Sequence, residues 1–86
     1  MPILFRIKMN KMPHLAIKLL EGKTEEQKKK LAAELVKTAQ SIIGYGDESY
    51  SVSIEDFSWD DWQKKVYPEE IMERKEILYK KPGYTV

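Results

Sequence analysis

Two stretches of period-two alternation flank one stretch of helical periodicity, and that order admits few folds. From His14 to Leu20, Leu15, Ile17 and Leu19 alternate with His14, Ala16 and Lys18, the pattern of a half-buried strand. Glu21-Gly22-Lys23 breaks the alternation. Thr24-Glu25-Glu26-Gln27 then matches a capping box, with Thr24 as N-cap and Gln27 reaching back to it. Leu31, Leu35, Ala39 and Ile42 recur every three or four residues, which predicts a helix from about Glu25 to Ile43 with one apolar stripe. Gly44 and Gly46 offer the left-handed residue that commonly closes a helix. Tyr50, Val52 and Ile54 alternate with Ser51, Ser53 and Glu55, which predicts a second strand.

Strand, long helix and strand make a βαβ unit, with a right-handed crossover and parallel strands. Further along, Ser58-Trp59-Asp60-Asp61 is another N-cap signature and opens a short helix through roughly Val66. Pro68 interrupts that helix, and Pro68-Glu69-Glu70 starts another turn or two. Lys80-Lys81-Pro82-Gly83 is a turn ahead of the tail Tyr84-Thr85-Val86. The expected class is α/β (α+β in some schemes): a single β-α-β unit with parallel strands plus short C-terminal helices. The 86 residues suffice for one domain. A two-stranded sheet is marginal, and one helix covers only one of its faces. The fold is therefore expected to be completed by oligomerisation, with identical units extending the sheet or stacking their exposed faces.

Charge and composition narrow the function classes. Lys plus Arg is 15 and Asp plus Glu is 14, a formal charge of +1, which gives no reason to expect nucleic acid or a membrane as partner. The absence of cysteine excludes disulfides, thiolate catalysis and sulfur-based zinc sites. The single histidine excludes a multi-histidine metal site within one chain. No apolar run approaches the ~20 residues that span a bilayer. Residues 1–8 carry charges inside their apolar stretch and lack a small-residue cleavage site, unlike a signal peptide. A cytoplasmic protein is expected.

Met12-Pro13-His14-Leu15-Ala16-Ile17-Lys18 reads as the beginning of a chain, although eleven residues precede it. From Met12 onward the sequence resembles the tautomerase superfamily, in the short branch related to 4-oxalocrotonate tautomerase. The resemblance rests on Met12-Pro13, the turn Glu21-Gly22-Lys23-Thr24-Glu25-Glu26-Gln27, Lys30-Leu31-Ala32 in the helix, and Ser51-Val52-Ser53-Ile54-Glu55 in the second strand. The C-terminal part, from Trp62 through Val66-Tyr67-Pro68-Glu69 to Lys80-Lys81-Pro82-Gly83-Tyr84, is similar to a bacterial subgroup with dimeric members. The resemblance implies a tautomerase (MIF-like) fold and a keto–enol tautomerase acting on a small 2-oxo or enol acid, without metal or organic cofactor. It further implies that the amine of Pro13, freed by removal of the initiator methionine, is the general base. On this reading residues 12–86 are the tautomerase domain. Residues 1–11 are an N-terminal extension, explained by a start codon assigned eleven codons early. Pro2 also follows a methionine, but no Glu-Gly-Lys turn follows it at the family spacing.

The resemblance also assigns substrate-binding positions. Lys23 stands where well-known members carry an arginine that holds the substrate carboxylate; a lysine keeps the charge and loses the planar fork. Its alternative is a solvated turn lysine. Ser53 stands where those members carry a second arginine. That departure points away from a dicarboxylate, toward a substrate with one acidic group or a different oxyanion donor. Phe57 and Trp62, with Trp59, fall where the family has an aromatic pocket wall, although aromatics at this spacing also serve as core. His14 adjoins the base and either tunes it or is structural. Tyr50, Tyr67 and Tyr79 are candidate phenol donors, and Lys28-Lys29-Lys30 reads as a solvated helix face.

Two other readings remain. One is hydration or dehalogenation of unsaturated acids, as in other members of the superfamily, with Glu55 or Asp56 activating water. The other is a catalytically inactive oligomeric binding protein in which Pro13 stays internal, and Ile3, Phe5 and Ile7 alternate as a strand over the pocket mouth. The expected assembly is a homo-oligomer, a dimer first and a hexamer (trimer of dimers) second.

Overall fold

The computed structural model describes residues 12–86. In chain order it contains β1 (His14–Leu20), α1 (Glu25–Ile43), a 3-10 turn (Asp47–Ser49) and β2 (Ser51–Phe57). A C-terminal helical run follows: one α-turn at Trp59–Asp61, wider π-type turns at Trp62–Ile71, and 3-10 turns at Met72–Ile77. β1 and β2 pair as a parallel two-stranded sheet, so the expected β-α-β unit is present. The alternation of Ile3, Phe5 and Ile7 lies outside the described residues.

The register follows from the ladder. Ser51 N–H donates to the Pro13 carbonyl at 3.2 Å, and Glu21 N–H to the Phe57 carbonyl at 2.8 Å. His14 meets Ser51, and Lys18 meets Glu55, each pair 37 positions apart. Each β1 residue thus lies beside the β2 residue 37 positions on. Because side chains alternate between faces, His14, Ala16 and Lys18 share a polar face with Ser51, Ser53 and Glu55. Leu15, Ile17, Val52 and Ile54 are half-buried on the other.

The described residues divide into two compact units. The first combines residues 12–18 with Gly22–Glu55. Its helix begins as the sequence predicts: Gln27 N–H donates to Thr24 Oγ1 at 3.0 Å, and Thr24 N–H to Gln27 Oε1 at 2.9 Å. Glu25 and Glu26 in the first turn complement the positive end of the helix dipole. Leu31, Leu35 and Ala39 are half-buried, together with Ala32, Val36 and Gln40. Ile42 completes the same stripe by spacing yet is 78% exposed. The helix outruns its cover there, since Ser41, Ile42 and Ile43 are all exposed.

Gly44 closes α1 with φ +99°, and its N–H donates to Gln40 O at 2.9 Å. The next left-handed residue is Tyr45 (φ +71°), not Gly46 (φ −81°). A tyrosine is costly in that conformation. Two hydrogen bonds hold the loop: Tyr50 Oη donates to Gly44 O at 2.6 Å, and Gln40 Nε2 to Tyr45 O at 3.5 Å.

The second unit combines Leu19–Glu21 with Asp56–Val86. Ser58 caps the helical run by accepting from Asp61 N–H at 3.1 Å. The break expected at Pro68 does not occur. Proline lacks an N–H, and its ring clashes with the carbonyl four residues back. Widening the turns relieves that clash, and Met72 N–H reaches back to both the Tyr67 and Pro68 carbonyls. The kink falls instead at Arg74 (φ −122°, ψ 40°). Val66, at 2% exposure, is the one fully buried apolar side chain among the described residues. Among them, no helix is long and apolar enough to cross a membrane.

Candidate functional site

Pro13 is half-buried immediately before β1, where its missing N–H costs no ladder bond and its carbonyl accepts the first one from Ser51. The next residue, His14, projects onto the polar face between two serines. Its Nδ1 lies 2.7 Å from Ser51 Oγ and its Nε2 lies 3.2 Å from Ser53 Oγ. Serines at alternate positions of one strand share a face, and the 37-residue register sets the imidazole against both. A hydroxyl both donates and accepts. A ring nitrogen that carries a proton donates to its serine, and a bare one accepts. Ser53 therefore stands in a hydrogen-bonded cluster with His14 and Ser51.

Further along the same face, Lys18 Nζ donates to Glu55 Oε1 at 2.9 Å. Glu55 is thus held by an ammonium, and Asp56 also has a partner. Lys23 is exposed in the loop ahead of α1. It follows the far end of β1, seven residues from the Pro13 end, and a strand rises ~3.3 Å per residue, so about 23 Å separates the two ends. Within one chain Lys23 does not meet Pro13.

In the second unit, Phe57 and Trp62 pack edge-to-face, with ring centroids 6.4 Å apart and planes at 74°. Trp62 also lines a cleft of about 340 Å³ with Leu20, Trp59, Tyr84, Thr85 and Val86, whereas Phe57 is not among its lining residues. Of the candidate phenols, Tyr50 spends its hydroxyl on Gly44, Tyr67 packs at 5.9 Å against Tyr84, and Tyr79 is fully exposed. Reading the residues one at a time missed Ser51 as a partner of His14. The signal that finds it is the strand register, which two side-chain pairs on one face make visible.

A family sequence model described as "Tautomerase enzyme" matches residues 13–68. The chain belongs to the tautomerase family. The match opens on Pro13 and closes on Pro68, inside the widened helical turns. Among tautomerase relatives, a probable tautomerase of Xylella fastidiosa (strain 9a5c) is 37% identical over 73 residues, 85% of this chain and 89% of that protein. Tautomerase PptA of Pectobacterium carotovorum subsp. carotovorum (strain PC1) is 35% identical over 75 residues, 86% of this chain and 99% of that protein. A probable tautomerase of Bacillus cereus (strain ATCC 14579) is 43% identical over 47 residues, 55% of this chain and 77% of that protein. Family and relatives together give the chain a tautomerase-type, isomerase function.

Proposed function

We propose that this tautomerase interconverts the keto and enol forms of a small 2-oxo acid, with the amine of Pro13 as general base in a chain that begins at that residue. The observation that carries the reading is that the family match opens on Pro13 itself. Inside a longer chain that nitrogen is an amide without usable basicity. As a free terminus it is a secondary amine, and α-amino groups titrate near ~8. Apolar surroundings disfavour the ammonium form and move such a group toward neutrality, where a base is most effective. The amine takes a proton from the carbon beside the substrate carbonyl, or from the enol hydroxyl. It then returns that proton elsewhere on the conjugated system. Trp62, backed by Phe57, is the proposed apolar wall for the carbon skeleton.

Lys23 is the proposed carboxylate anchor, and its place beyond the far end of β1 means that it serves a neighbouring copy's Pro13. That requirement favours a homo-oligomer, a dimer first and a trimer of dimers second. Scarcity of core favours it too: among the described apolar side chains Val66 alone is fully buried, while Ile42, Ile43 and Tyr45 are exposed around the end of α1. A cytoplasmic location and a small-molecule partner complete the reading. Intact mass of the protein from its own cells tests the proposed terminus. The expected mass begins at Pro13, and one beginning at Met1 or Pro2 counts against the base.

A further inference from the structure

The second unit holds a cleft that the proposed proton transfer does not use. The chain kinks at Arg74 (φ −122°, ψ 40°), and Leu78 N–H closes the last 3-10 turn on Lys75 O at 3.1 Å. The turn at Lys80-Lys81-Pro82-Gly83 brings the tail back, so that Tyr84 packs on Tyr67 with ring centroids 5.9 Å apart. Between the helical run and the returning tail lies a cleft of about 310 Å³. Met72, Leu78 and Pro82 line it and are half-buried, whereas Lys75 and Lys81 line it and are exposed. An apolar floor thus lies under two ammonium groups that water and solutes reach. Among the described residues, no aspartate or glutamate lines the cleft, and neither lysine has an ion-pair partner. The adjacent cation, Arg74, pairs with Glu70 at 3.6 Å.

We propose that this cleft is a second small-molecule site, for a phosphate monoester that carries one small aromatic group. Two ammonium groups without an acidic lining residue favour a dianion, and a phosphate monoester carries about −1.5 to −2 charges at neutral pH. Lysine holds phosphate as a point charge, without the planar fork by which arginine grips a carboxylate. Size sets the rest of the ligand. A water takes up about 30 Å³ of liquid, so the cleft replaces about ten waters and admits about as many non-hydrogen atoms. That is one ring with its phosphate. Tyr67 and Tyr84 offer their rings to such a group. This ligand is chemically distinct from the 2-oxo acid, and its site does not depend on Pro13. Tyr84 and Thr85 also line the cleft that holds Trp59 and Trp62, so the bound ester sits against a wall of the neighbouring cleft.

Calorimetric titration of the full 86-residue chain with phenyl phosphate tests the site, with inorganic phosphate and phenol as controls. Phenyl phosphate should bind at least about tenfold tighter than either, because it alone uses both the apolar floor and the lysines. Lys75→Met and Lys81→Met keep an apolar stem and remove the charge. Each should weaken phenyl phosphate about fivefold, and the two together about twentyfold, with phenol unaffected. Lys64→Met should bind as the parent does, since Lys64 pairs with Asp60 at 3.1 Å and does not line the cleft. The chain's two tryptophans, Trp59 and Trp62, both line the neighbouring cleft, so their emission should shift on binding in the parent and not in the double variant. No binding, unmoved emission in the parent, a Lys75→Met/Lys81→Met variant that binds as the parent does, or inorganic phosphate binding as tightly as phenyl phosphate would overturn the proposal. In the full chain Pro13 is an amide, so this binding needs no catalytic amine. Lost turnover in a chain beginning at Met12, with phenyl phosphate still bound, would count against the base alone. Turnover without phenyl phosphate binding would count against this cleft alone.

Discussion

Lys18 Nζ donates to Glu55 Oε1 at 2.9 Å across the polar face of the sheet, four residues along β1 from His14. The pair is solvent-accessible, with side chains 32% and 60% exposed. It therefore contributes less than about 1 kcal/mol. Glu55→Gln should shift stability by no more than that and leave keto–enol turnover near the parent's. If turnover of phenylenolpyruvate disappears in this variant while the fold persists, Glu55 has a chemical role and the hydratase or dehalogenase reading regains ground.

The capping box of α1 gives a sharper stability prediction. Thr24 and Gln27 satisfy each other's backbone N–H at 3.0 and 2.9 Å, and losing an N-cap side chain costs about 1 kcal/mol. Thr24→Ala should be destabilised by that amount in urea unfolding, with Thr24→Ser close to the parent. Equal stability of all three would mean that the helix start is held by other contacts.

The order of elements and the start of α1 were legible because they rest on local patterns, namely period-two alternation and a four-residue cap. The His14, Ser51 and Ser53 cluster was not, because it depends on a register between segments 37 positions apart. Spacing placed Ile42 on the buried stripe, but spacing does not say where a helix outruns its cover. Pro68 read as a break because proline removes a donor, and widened turns absorbed the loss. Lys23 was assigned by resemblance to the position of a carboxylate anchor. Only the length of β1 shows that it cannot serve the Pro13 of its own chain.

Gly44 adopts φ +99° at the end of α1, and a Cβ added there would meet nothing within 4 Å. The cost of Gly44→Ala is therefore backbone strain alone, about 1 to 3 kcal/mol, because φ +99° with ψ −155° is a conformation essentially limited to glycine. Gly83, equally open but without positive φ, should tolerate alanine within about 0.5 kcal/mol. Thermal unfolding of the two variants side by side checks the contrast, and equal losses would contradict it.

Assembly is tested by light scattering or sedimentation at micromolar concentration. A chain with so little core should not stand alone, so the expected result is a dimer, or otherwise a hexamer. A persistent monomer of about 10.1 kDa would remove the route by which Lys23 reaches a neighbouring Pro13.

The central claim is that Pro13 acts through a free amine, and the most direct measurement compares phenylenolpyruvate tautomerisation by the full 86-residue chain with that by a chain beginning at Met12. General acid–base groups contribute about 10²- to 10⁴-fold. The shorter chain, once its methionine is removed, should turn the substrate over at least about a hundredfold faster than the full one. Equal rates from the two chains would show that the amine of Pro13 is not the base.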